Sequence, residues 1–317
     1  MVDESLSVVT PTLRRPAEIV ELLENLSEQT LLPREVIIVD GAPEGEDETE
    51  RAVKNPGRKF PFAVRYFRRS GGTAVQRNFG IDRAGGRFIA LIDDDVRLEK
   101  NFFLEMLKVF SGDETKRIGG LAGYRTNQHF RSEDAARWRL YKRLKLLKTF
   151  EPGRYDFSTG YPINNNMQPP FAGTRPVDFM TTACAVWRRE VFDDGLRFDR
   201  FFSDYGVLED AHFSLRAGKK WKLMQCGDAR CEELSSPNGR LNRRRIGYKC
   251  VVNYYYVFRD VAAPLSFLQK FRFWRFQAFE FIRVGSSALR RRRPGDLEDA
   301  LGRLEGIFAV MRGLTEK

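Results

Sequence analysis

The sequence predicts an α/β fold, with a mixed, mostly parallel sheet, helices on both faces and a helical C-terminal extension. Two observations carry this prediction. Over residues 6–110, short apolar runs alternate with segments whose apolar residues recur at helical spacing, the pattern of strand–helix–strand units with parallel strands. From residue 240 onward, aromatic and basic residues recur at helical spacing. The composition, 42% hydrophobic and 31% charged, is that of a globular protein rather than a disordered one.

Four strands and three helices are predicted in the first part of the chain. The strands cover residues 6–10, 35–40, 63–67 and 87–92, and the helices cover 17–26, 73–84 and 101–110, with 44–51 a loop or a short helix. Ligands of such sheets bind outside the carboxyl ends of the strands. We therefore expect Asp40, which ends the second strand, and Asp93, which follows the fourth, to share one cleft.

The middle of the chain is less regular. Residues 125–176 combine basic residues, an amphipathic helix at 135–148 and a loop-rich stretch, and we interpret them as an insertion over the cleft. Strand-like composition returns at 177–186, a short helix is predicted at 210–217, and a strand at 221–224. The predicted domains are residues 1–236, with this insertion, and a basic, aromatic-rich, mainly helical extension over 237–317.

The net charge is +11, and most of the excess lies in the last quarter of the chain. Residues 238–317 contain 17 Lys and Arg against 7 Asp and Glu. Such a region can contact nucleic acid, anionic lipid or an acidic substrate, or form a solvated surface. The four cysteines form no C-x-x-C pair, and with only two histidines they argue against a structural zinc site.

No targeting or spanning segment is visible in the sequence. The first residues lack a basic region followed by an apolar run, and no apolar stretch reaches the roughly 18–20 residues that a spanning helix needs. We therefore expect a cytoplasmic protein that is soluble or peripheral on the cytoplasmic face of a membrane.

Three consecutive carboxylates, Asp93, Asp94 and Asp95, follow the fourth predicted strand. Carboxylates beside a buried strand are unfavourable unless something compensates their charge. Mg²⁺ or Mn²⁺ could do so, since both prefer oxygen ligands. The alternative is an acidic turn that caps the following helix, because Asp is favoured at helix N-termini.

Two weaker motifs accompany the acidic run. Gly71 and Gly72 precede the helix that carries Arg77; a helix N-terminus favours anions, and arginine is a forked donor for phosphate. Glu209 and Asp210 begin a later helix, where one carboxylate could act as a general base or both could simply cap the helix.

These motifs occur together in the order seen in the inverting family 2 glycosyltransferases, which the chain resembles over about residues 5–226. The matching segments read VVTPT (8–12), IIVDG (37–41), RNFGI (77–81), DDD (93–95) and ED (209–210). The resemblance implies a GT-A fold and transfer of a sugar, with inversion, from a nucleotide-diphosphate-sugar to an acceptor hydroxyl. It also implies a role in the synthesis of cell-surface glycans or glycolipids.

The resemblance implies a donor site and a metal ligand. Asp40 is expected to accept a hydrogen bond from the nucleotide base, and Arg77 to contact the donor pyrophosphate. Asp95 is expected to bind Mn²⁺ or Mg²⁺. The remaining residues of the expected nucleotide-sugar site are Thr10, Pro11, Thr12, Asp93 and Asp94. The donor is expected to be linked to UDP, GDP or dTDP.

The resemblance also implies the catalytic and acceptor residues. Asp210 is expected to be the catalytic base, with Glu209 as its neighbour, and the acceptor to be a glycan or a lipid-linked molecule. The expected sugar and acceptor pocket comprises Met180, Thr181 and Thr182.

The sequence departs from the family pattern at two places. Many relatives carry Asp or Asn after the position of Asp40, where this chain has Gly41. Many also place a histidine after the strand that follows the Glu-Asp helix, and residues 228–233 contain none. Glu232 is the candidate replacement for this histidine.

The C-terminal region allows several interpretations. Arg240, Arg243, Arg244 and Arg245 form either a loop that closes on the donor pyrophosphate or a solvated basic loop. The aromatic and basic residues of 267–283 form either a helix on an anionic membrane surface or a helix packed on the catalytic domain.

Three rival functions are considered. A nucleotidyltransferase would need a glycine-rich loop at residues 10–15, which contain no glycine. A basic nucleic-acid-binding protein would leave the ordered acidic motifs unexplained, so no nucleic-acid partner is expected. A catalytically weak nucleotide-sugar-binding or scaffold protein is the remaining alternative, supported by the missing histidine.

Overall fold

The structure is a computed structural model that describes residues 5–55, 57, 59–128, 132–167, 169–203, 206–234, 242–291 and 294–313. The chain forms two compact units. The first comprises residues 1–129 and 165–239, and the second comprises residues 130–164 and 240–317. Part of the predicted insertion therefore belongs to the same unit as the C-terminal helices.

The strands are β1 (Leu6–Thr12), β2 (Glu35–Asp40), β3 (Ala63–Arg68), β4 (Phe88–Ile92), β5 (Val96–Leu98), β6 (Ile118–Arg125), β7 (Tyr155–Asp156), β8 (Tyr161–Pro162), β9 (Thr174–Pro176), β10 (Cys184–Arg188) and β11 (Lys222–Glu233). In the described part of the first unit, nine of them form one sheet in the order β3-β2-β1-β4-β10-β6-β11-β5, with β9 paired to β11. Strands β7 and β8 pair in the second unit.

The pairing directions confirm the predicted mixed, mostly parallel sheet around β1. Strands β3, β2, β1 and β4 are mutually parallel, as are β6 and β11. Strand β10 runs antiparallel to both β4 and β6 and joins the two parallel parts. The four predicted strands of the first part correspond to β1 to β4. The interior of β1, β2 and β4 is apolar, as in Val8, Ile38 and Ala90, which are fully buried.

The helices are α1 (Pro16–Ser27), α2 (Glu48–Lys54), α3 (Thr73–Ile81), α4 (Phe102–Gly112), α5 (Ser132–Arg143), α6 (Glu190–Asp193), α7 (Glu209–Ala217), α8 (Arg243–Ala262), α9 (Phe267–Arg291) and α10 (Pro294–Met311). The apolar stripe predicted for the first helix is the buried face of α1, formed by Ile19, Leu22, Leu23 and Leu26. This face and that of α4 pack on the sheet in one hydrophobic core.

Helix α3 lies unusually close to β1 because Gly80 faces the sheet. A Cβ atom at this position would collide with the side chain of Val9 in β1 and would also crowd Val39 in β2. Only glycine has no Cβ, so this close approach depends on it. The contact fixes the depth at which α3 sits on the sheet, and with it the position of Arg77.

In the second unit, α8 and α10 cross at very short distance. A Cβ on Gly302 would collide with the backbone of Arg244, and one on Gly247 would collide with the backbone of Asp299.

The prediction of a basic loop at 243–245 is wrong, since these residues form the first turn of α8, where Arg244 is ion-paired with Glu305. Asn242 caps that turn by accepting a hydrogen bond from the amide of Arg245. Arg240 lies outside the described residues.

Candidate active site

Three strand ends meet at one edge of the sheet. β1 ends at Thr12, which pairs in register with Asp40 at the end of β2. β4 is parallel to β1 on its other side and is followed at once by Asp93. The structure thus places the predicted donor residues of β1, β2 and β4 at the same edge, as expected from the parallel arrangement.

In the acidic run after β4, Asp94 and Asp95 lie against an arginine that the sequence analysis did not single out. Arg15 donates to Asp94 Oδ1 at 2.6 Å and lies 3.6 Å from Asp95 Oδ2. The hydroxyl of Thr12 donates to Asp94 Oδ2 at 2.7 Å. Burial nevertheless raises the pKa of Asp94 to about 6. The signal that could have revealed Arg15 is its position three residues after Thr12, at the mouth of the same cleft.

Arg77 joins the acidic run to the Glu-Asp pair. Its side chain is almost fully buried, Nη2 donates to Asp93 Oδ1 at 2.8 Å, and Nη1 donates to Glu209 Oε1 at 3.1 Å. The hydroxyl of Thr73 lies 3.5 Å from the same Glu209 oxygen. Two motifs that are 116 residues apart in sequence, Asp93 and Glu209, therefore share one guanidinium.

The backbone before α7 is shaped to present Glu209 and Asp210. Leu208 adopts the left-handed conformation with φ of 77°, which is strained for a residue with a Cβ and is often found at functional sites. A Cβ on Gly206 would collide with the Glu209 carboxylate. The turn thus holds Glu209 against Arg77 and leaves Asp210 partly exposed.

Asp210 has the properties of a general base near neutral pH. Burial and the neighbouring Glu209 carboxylate raise the pKa of Asp210 to about 7, although the Ala211 amide donates to Oδ1 at 2.7 Å and Arg77 acts in the opposite direction. A base whose pKa lies near the working pH is effective in proton transfer. Perturbed carboxyl groups of this kind cluster at functional sites.

Asp40 lies at the expected strand end but is fully buried. Its Oδ1 accepts a hydrogen bond from the Ala42 amide, and its Oδ2 accepts one from the Tyr66 hydroxyl, both at 2.9 Å. Thr10 and Pro11 are buried as well. Because the Asp40 carboxylate is fully buried, its contact with a nucleotide base stays a prediction.

The residues expected to line a sugar and acceptor pocket are mostly interior. Met180 is fully buried, its backbone amide donates to Ser214 Oγ at 3.1 Å, and its side chain packs over Gly120. Thr182 is also buried, whereas Thr181 is partly exposed. Of these three positions, only Thr181 presents side-chain surface in this conformation.

The described residues fit a divalent cation that shares its ligands with a substrate. They contain no group of three His, Cys, Asp or Glu side chains arranged to hold a metal ion. The available donors at the strand end are carboxylate oxygens, and Mg²⁺ commonly binds one or two carboxylates and completes its shell with phosphates and water. Asp95 meets this requirement, since its carboxylate follows this strand end and lies 3.6 Å from the guanidinium of Arg15.

The end of β11 lies next to the acidic run. The Leu234 amide donates to the backbone carbonyl of Asp95 at 2.7 Å. Glu232, the candidate replacement for the histidine, is exposed and pairs in register with Arg97 of β5, while Glu233 is ion-paired with Arg125. The chain thus brings a carboxylate-bearing strand end to the expected place, and a metal contact from Glu232 stays a prediction.

An acidic cleft borders the same residues on the side of α1. It has a volume of about 580 Å³, and Glu18, Glu21, Glu24 and Glu28 line it together with Asp94 and Asp95. So many carboxylates attract cations, and they repel a diphosphate that has no cation bound to it. Asp40, Arg77 and Asp210 do not line this cleft.

Comparison with known proteins identifies the family of this chain. The family model described as glycosyl transferase family 2 matches residues 7–196. The chain is similar to the uncharacterized glycosyltransferase YwdF of Bacillus subtilis, with 39% identity over 90 residues, which are 28% of this chain and 32% of that protein. An uncharacterized glycosyltransferase of Haemophilus influenzae is 37% identical over 90 residues, 28% of this chain and 29% of that protein. The match spans about a third of each relative's length.

Solved structures of similar fold include two complexes with nucleotides or nucleotide sugars. Mannosyltransferase PcManGT from Pyrobaculum calidifontis, in complex with GDP-Man and Mn²⁺, has a TM-score of 0.53 and 18% identity, over 98% of this chain and 82% of that one. GalNAc-T7 with UDP, GalNAc and Mn²⁺ has a TM-score of 0.55 and 15% identity, over 89% of this chain and 58% of that one. At these identities the likeness establishes the fold, which is of the GT-A type. Because the family model covers more than half of its residues, the protein belongs to glycosyl transferase family 2.

Proposed function

We propose that the protein transfers a sugar from a nucleotide-diphosphate-sugar to an acceptor hydroxyl with inversion, with the help of a divalent cation. The donor would carry UDP, GDP or dTDP, and the acceptor would be a glycan or a lipid-linked molecule in cell-surface glycan or glycolipid synthesis. Family membership supports the reaction class, and the described site supports the assignment of roles.

The observation that carries the proposal is the ion-paired chain Asp93–Arg77–Glu209. Inverting transfer needs a leaving-group site and a base on opposite sides of one sugar carbon. The chain of contacts fixes the acidic run, where a diphosphate and cation would lie, relative to the helix that carries Asp210. A purely structural set of helix caps would not require a buried arginine to connect two separate acidic motifs.

The donor would be held by groups of opposite charge at the strand ends. Asp95 would bind Mn²⁺ or Mg²⁺, which, when bound with the donor phosphates, neutralises negative charge on the leaving nucleoside diphosphate. Arg77 would keep Asp93 and Glu209 in place and share its guanidinium with the pyrophosphate. The guanidinium of Arg15 would leave Asp95 and contact a phosphate oxygen of the donor instead.

Asp210 would accept the proton of the acceptor hydroxyl as its oxygen attacks the anomeric carbon. One displacement breaks the bond to the diphosphate and inverts the configuration. A single base suffices for this step, unlike the two flanking carboxylates of retaining hydrolases. The partly exposed position of Asp210 lets a hydroxyl approach it, and a pKa of about 7 lets it accept and release a proton near neutrality.

A membrane-anchored acceptor would require the enzyme to work at a lipid surface. Among the described helices, none is long and apolar enough to cross a membrane. We propose that access to such an acceptor comes from association with the surface, for which the basic C-terminal region is the candidate.

The test is transfer of label from a panel of UDP-, GDP- and dTDP-sugars to membrane and glycan fractions, with Mn²⁺ or Mg²⁺. Asp210→Asn should abolish transfer and keep the fold, while Asp82→Asn, an exposed carboxylate ion-paired with Arg197, should behave as wild type. The product's anomeric configuration, read by NMR, should be opposite to that of the donor. Retained configuration, or full activity of Asp210→Asn, would reject the mechanism. Nucleotide binding without any transfer would favour the scaffold alternative.

A further inference from the structure

Helix α9 in the second unit has two apolar faces, and only one of them is covered. The covered face contains Phe273, Phe276, Glu280, Val284 and Ala288, all buried, at spacings of three or four residues. The opposite face, here named the α9 outer face, is formed by Leu268, Phe271, Ala278, Ile282 and Leu289, which are all exposed.

The outer face follows a regular helical stripe. Positions 268, 271, 275, 278, 282, 285 and 289 alternate in steps of three and four, and Arg275 and Gly285 occupy the two that are not apolar. Ile282 and Leu289 are 65% and 83% exposed. Large apolar side chains that are regularly spaced and uncovered mark an interaction surface rather than scattered surface residues.

The charges of α9 are almost all positive. The helix contains six Lys and Arg and one Glu. That Glu, Glu280, lies on the covered face, where it is bonded to Tyr141 and Arg283. The exposed residues of α9 therefore combine apolar side chains with Lys270 and Arg290, beside the partly exposed Arg272, and include no carboxylate.

Helix α10 provides a contrast within the same unit. It also exposes an apolar stripe, formed by Leu297, Leu301, Leu304, Phe308 and Met311. Its charges are mainly negative, with two Asp and two Glu against one Arg. The two helices thus offer apolar surfaces of similar spacing and opposite charge.

We infer that the α9 outer face is a docking surface for an anionic lipid bilayer. A helix with a basic and an apolar side, rich in Phe, Trp, Lys and Arg, lies in the plane of a membrane surface with its apolar residues among the acyl chains. The length of α9, 25 residues, is compatible with such a helix. Its positive charges would be attracted by the headgroups of anionic lipids.

A second copy of the protein is the other occupant that the surface could accept. Two α9 outer faces brought together would place Lys270, Arg272 and Arg290 of each copy near those of the other, without a carboxylate between them. Like charges at an interface oppose association. The charge pattern therefore favours an anionic lipid surface over a symmetric contact between two α9 outer faces.

The test compares two matched substitutions in the full chain. Phe271→Ser lies on the α9 outer face and Phe308→Ser on α10, and the two phenylalanines are 54% and 52% exposed. Because both side chains are exposed, neither substitution should disturb the folded core, which circular dichroism would check. Binding is measured by flotation with phosphatidylcholine vesicles that contain or lack phosphatidylglycerol, without any nucleotide sugar.

Wild type and Phe308→Ser should float with the phosphatidylglycerol vesicles and dissociate as salt is raised. Phe271→Ser should bind about tenfold more weakly, as expected when one phenyl group no longer enters the lipid. No binding by wild type, or equal binding by Phe271→Ser, would overturn the inference. A wild-type dimer in light scattering that Phe271→Ser converts to a monomer would assign the face to a second copy. Since no donor is present, these outcomes are independent of the proposed transfer.

Discussion

The ion pairs of the buried Arg77 guanidinium with Asp93 and Glu209 should stabilise the folded protein. Replacing Arg77 with methionine, of similar length, leaves Glu209 buried without its partner, whereas Asp93 can still turn to solvent because its side chain is 31% exposed. Removing one partner of a buried ion pair costs about 3–5 kcal/mol. We expect Arg77→Met to lower the free energy of unfolding by about this amount, mainly through Glu209.

A double-mutant cycle separates this pairing from a general packing effect. Glu209→Gln alone should cost about 1–2 kcal/mol, since Arg77 keeps Asp93 and an amide partner. Adding Glu209→Gln to Arg77→Met removes the unpaired charge, so the double variant should be roughly 2 kcal/mol more stable than the sum of the two losses predicts. Urea denaturation followed by circular dichroism gives the four free energies. Additive losses within about 0.5 kcal/mol would refute the argument that one guanidinium couples the two motifs.

Three further predictions concern the pH profile, Arg15 and Gly80. Burial and Glu209 raise the pKa of Asp210 to about 7, so its basic form is lost below that pH. Initial rates at low substrate concentration should give a kcat/KM that is half-maximal near pH 7 and falls about tenfold per pH unit below it. A flat profile through this range would contradict the role of Asp210. Arg15→Gln should tighten Mn²⁺ binding roughly tenfold in titration calorimetry without nucleotide, because the guanidinium then competes for Asp94 and Asp95. An unchanged or weaker affinity would show that it does not compete. Gly80→Ala should destabilise the protein by about 1–3 kcal/mol in urea denaturation, because the added methyl group collides with Val9. The control Gly112→Ala, where the added methyl group meets open space, should not destabilise it. Equal stability of both variants would disprove the close packing of α3 on β1.

Much of the sheet could be predicted because its central strands are continuous apolar runs. Buried parallel strands have this pattern, and their alternation with α1 and α3 fixes their direction. The sequence does not predict strand β6, because Gly119, Gly120 and Gly123 lower its intrinsic strand preference. In the structure these glycines leave room for Trp221, Trp187 and Phe102, so packing of distant residues determines this strand.

The antiparallel direction of β10 could not be predicted locally. Its apolar run indicates a buried strand, but its direction is set by pairing with Ile92 and its neighbours, about 90 residues earlier in the chain. The same limit applies to β11, which continues to Glu233 because β5 and β6 extend beside it. Register across such distances is a property of the folded sheet.

The site was predictable where a motif follows a strand. Asp40, Asp93 and Thr12 lie at strand ends that the apolar runs already define. The pairing of Arg15 with Asp94, and the burial of Asp40 against Tyr66, depend on side chains that approach across 79 and 26 residues. Spacing in the sequence contains no signal for such contacts, and the same is true of the interior position of Met180.

The central claim is tested most directly by calorimetric titration of UDP, GDP and dTDP, with and without Mn²⁺, on wild type, Asp95→Asn and Asp82→Asn. A nucleotide-sugar site completed by a shared cation predicts that one nucleotide class binds wild type and Asp82→Asn, and that Mn²⁺ strengthens this binding. Asp95→Asn should lose the effect of Mn²⁺ and keep the weaker metal-free affinity. If wild type binds none of the three nucleotides under either condition, the proposed transferase function is contradicted.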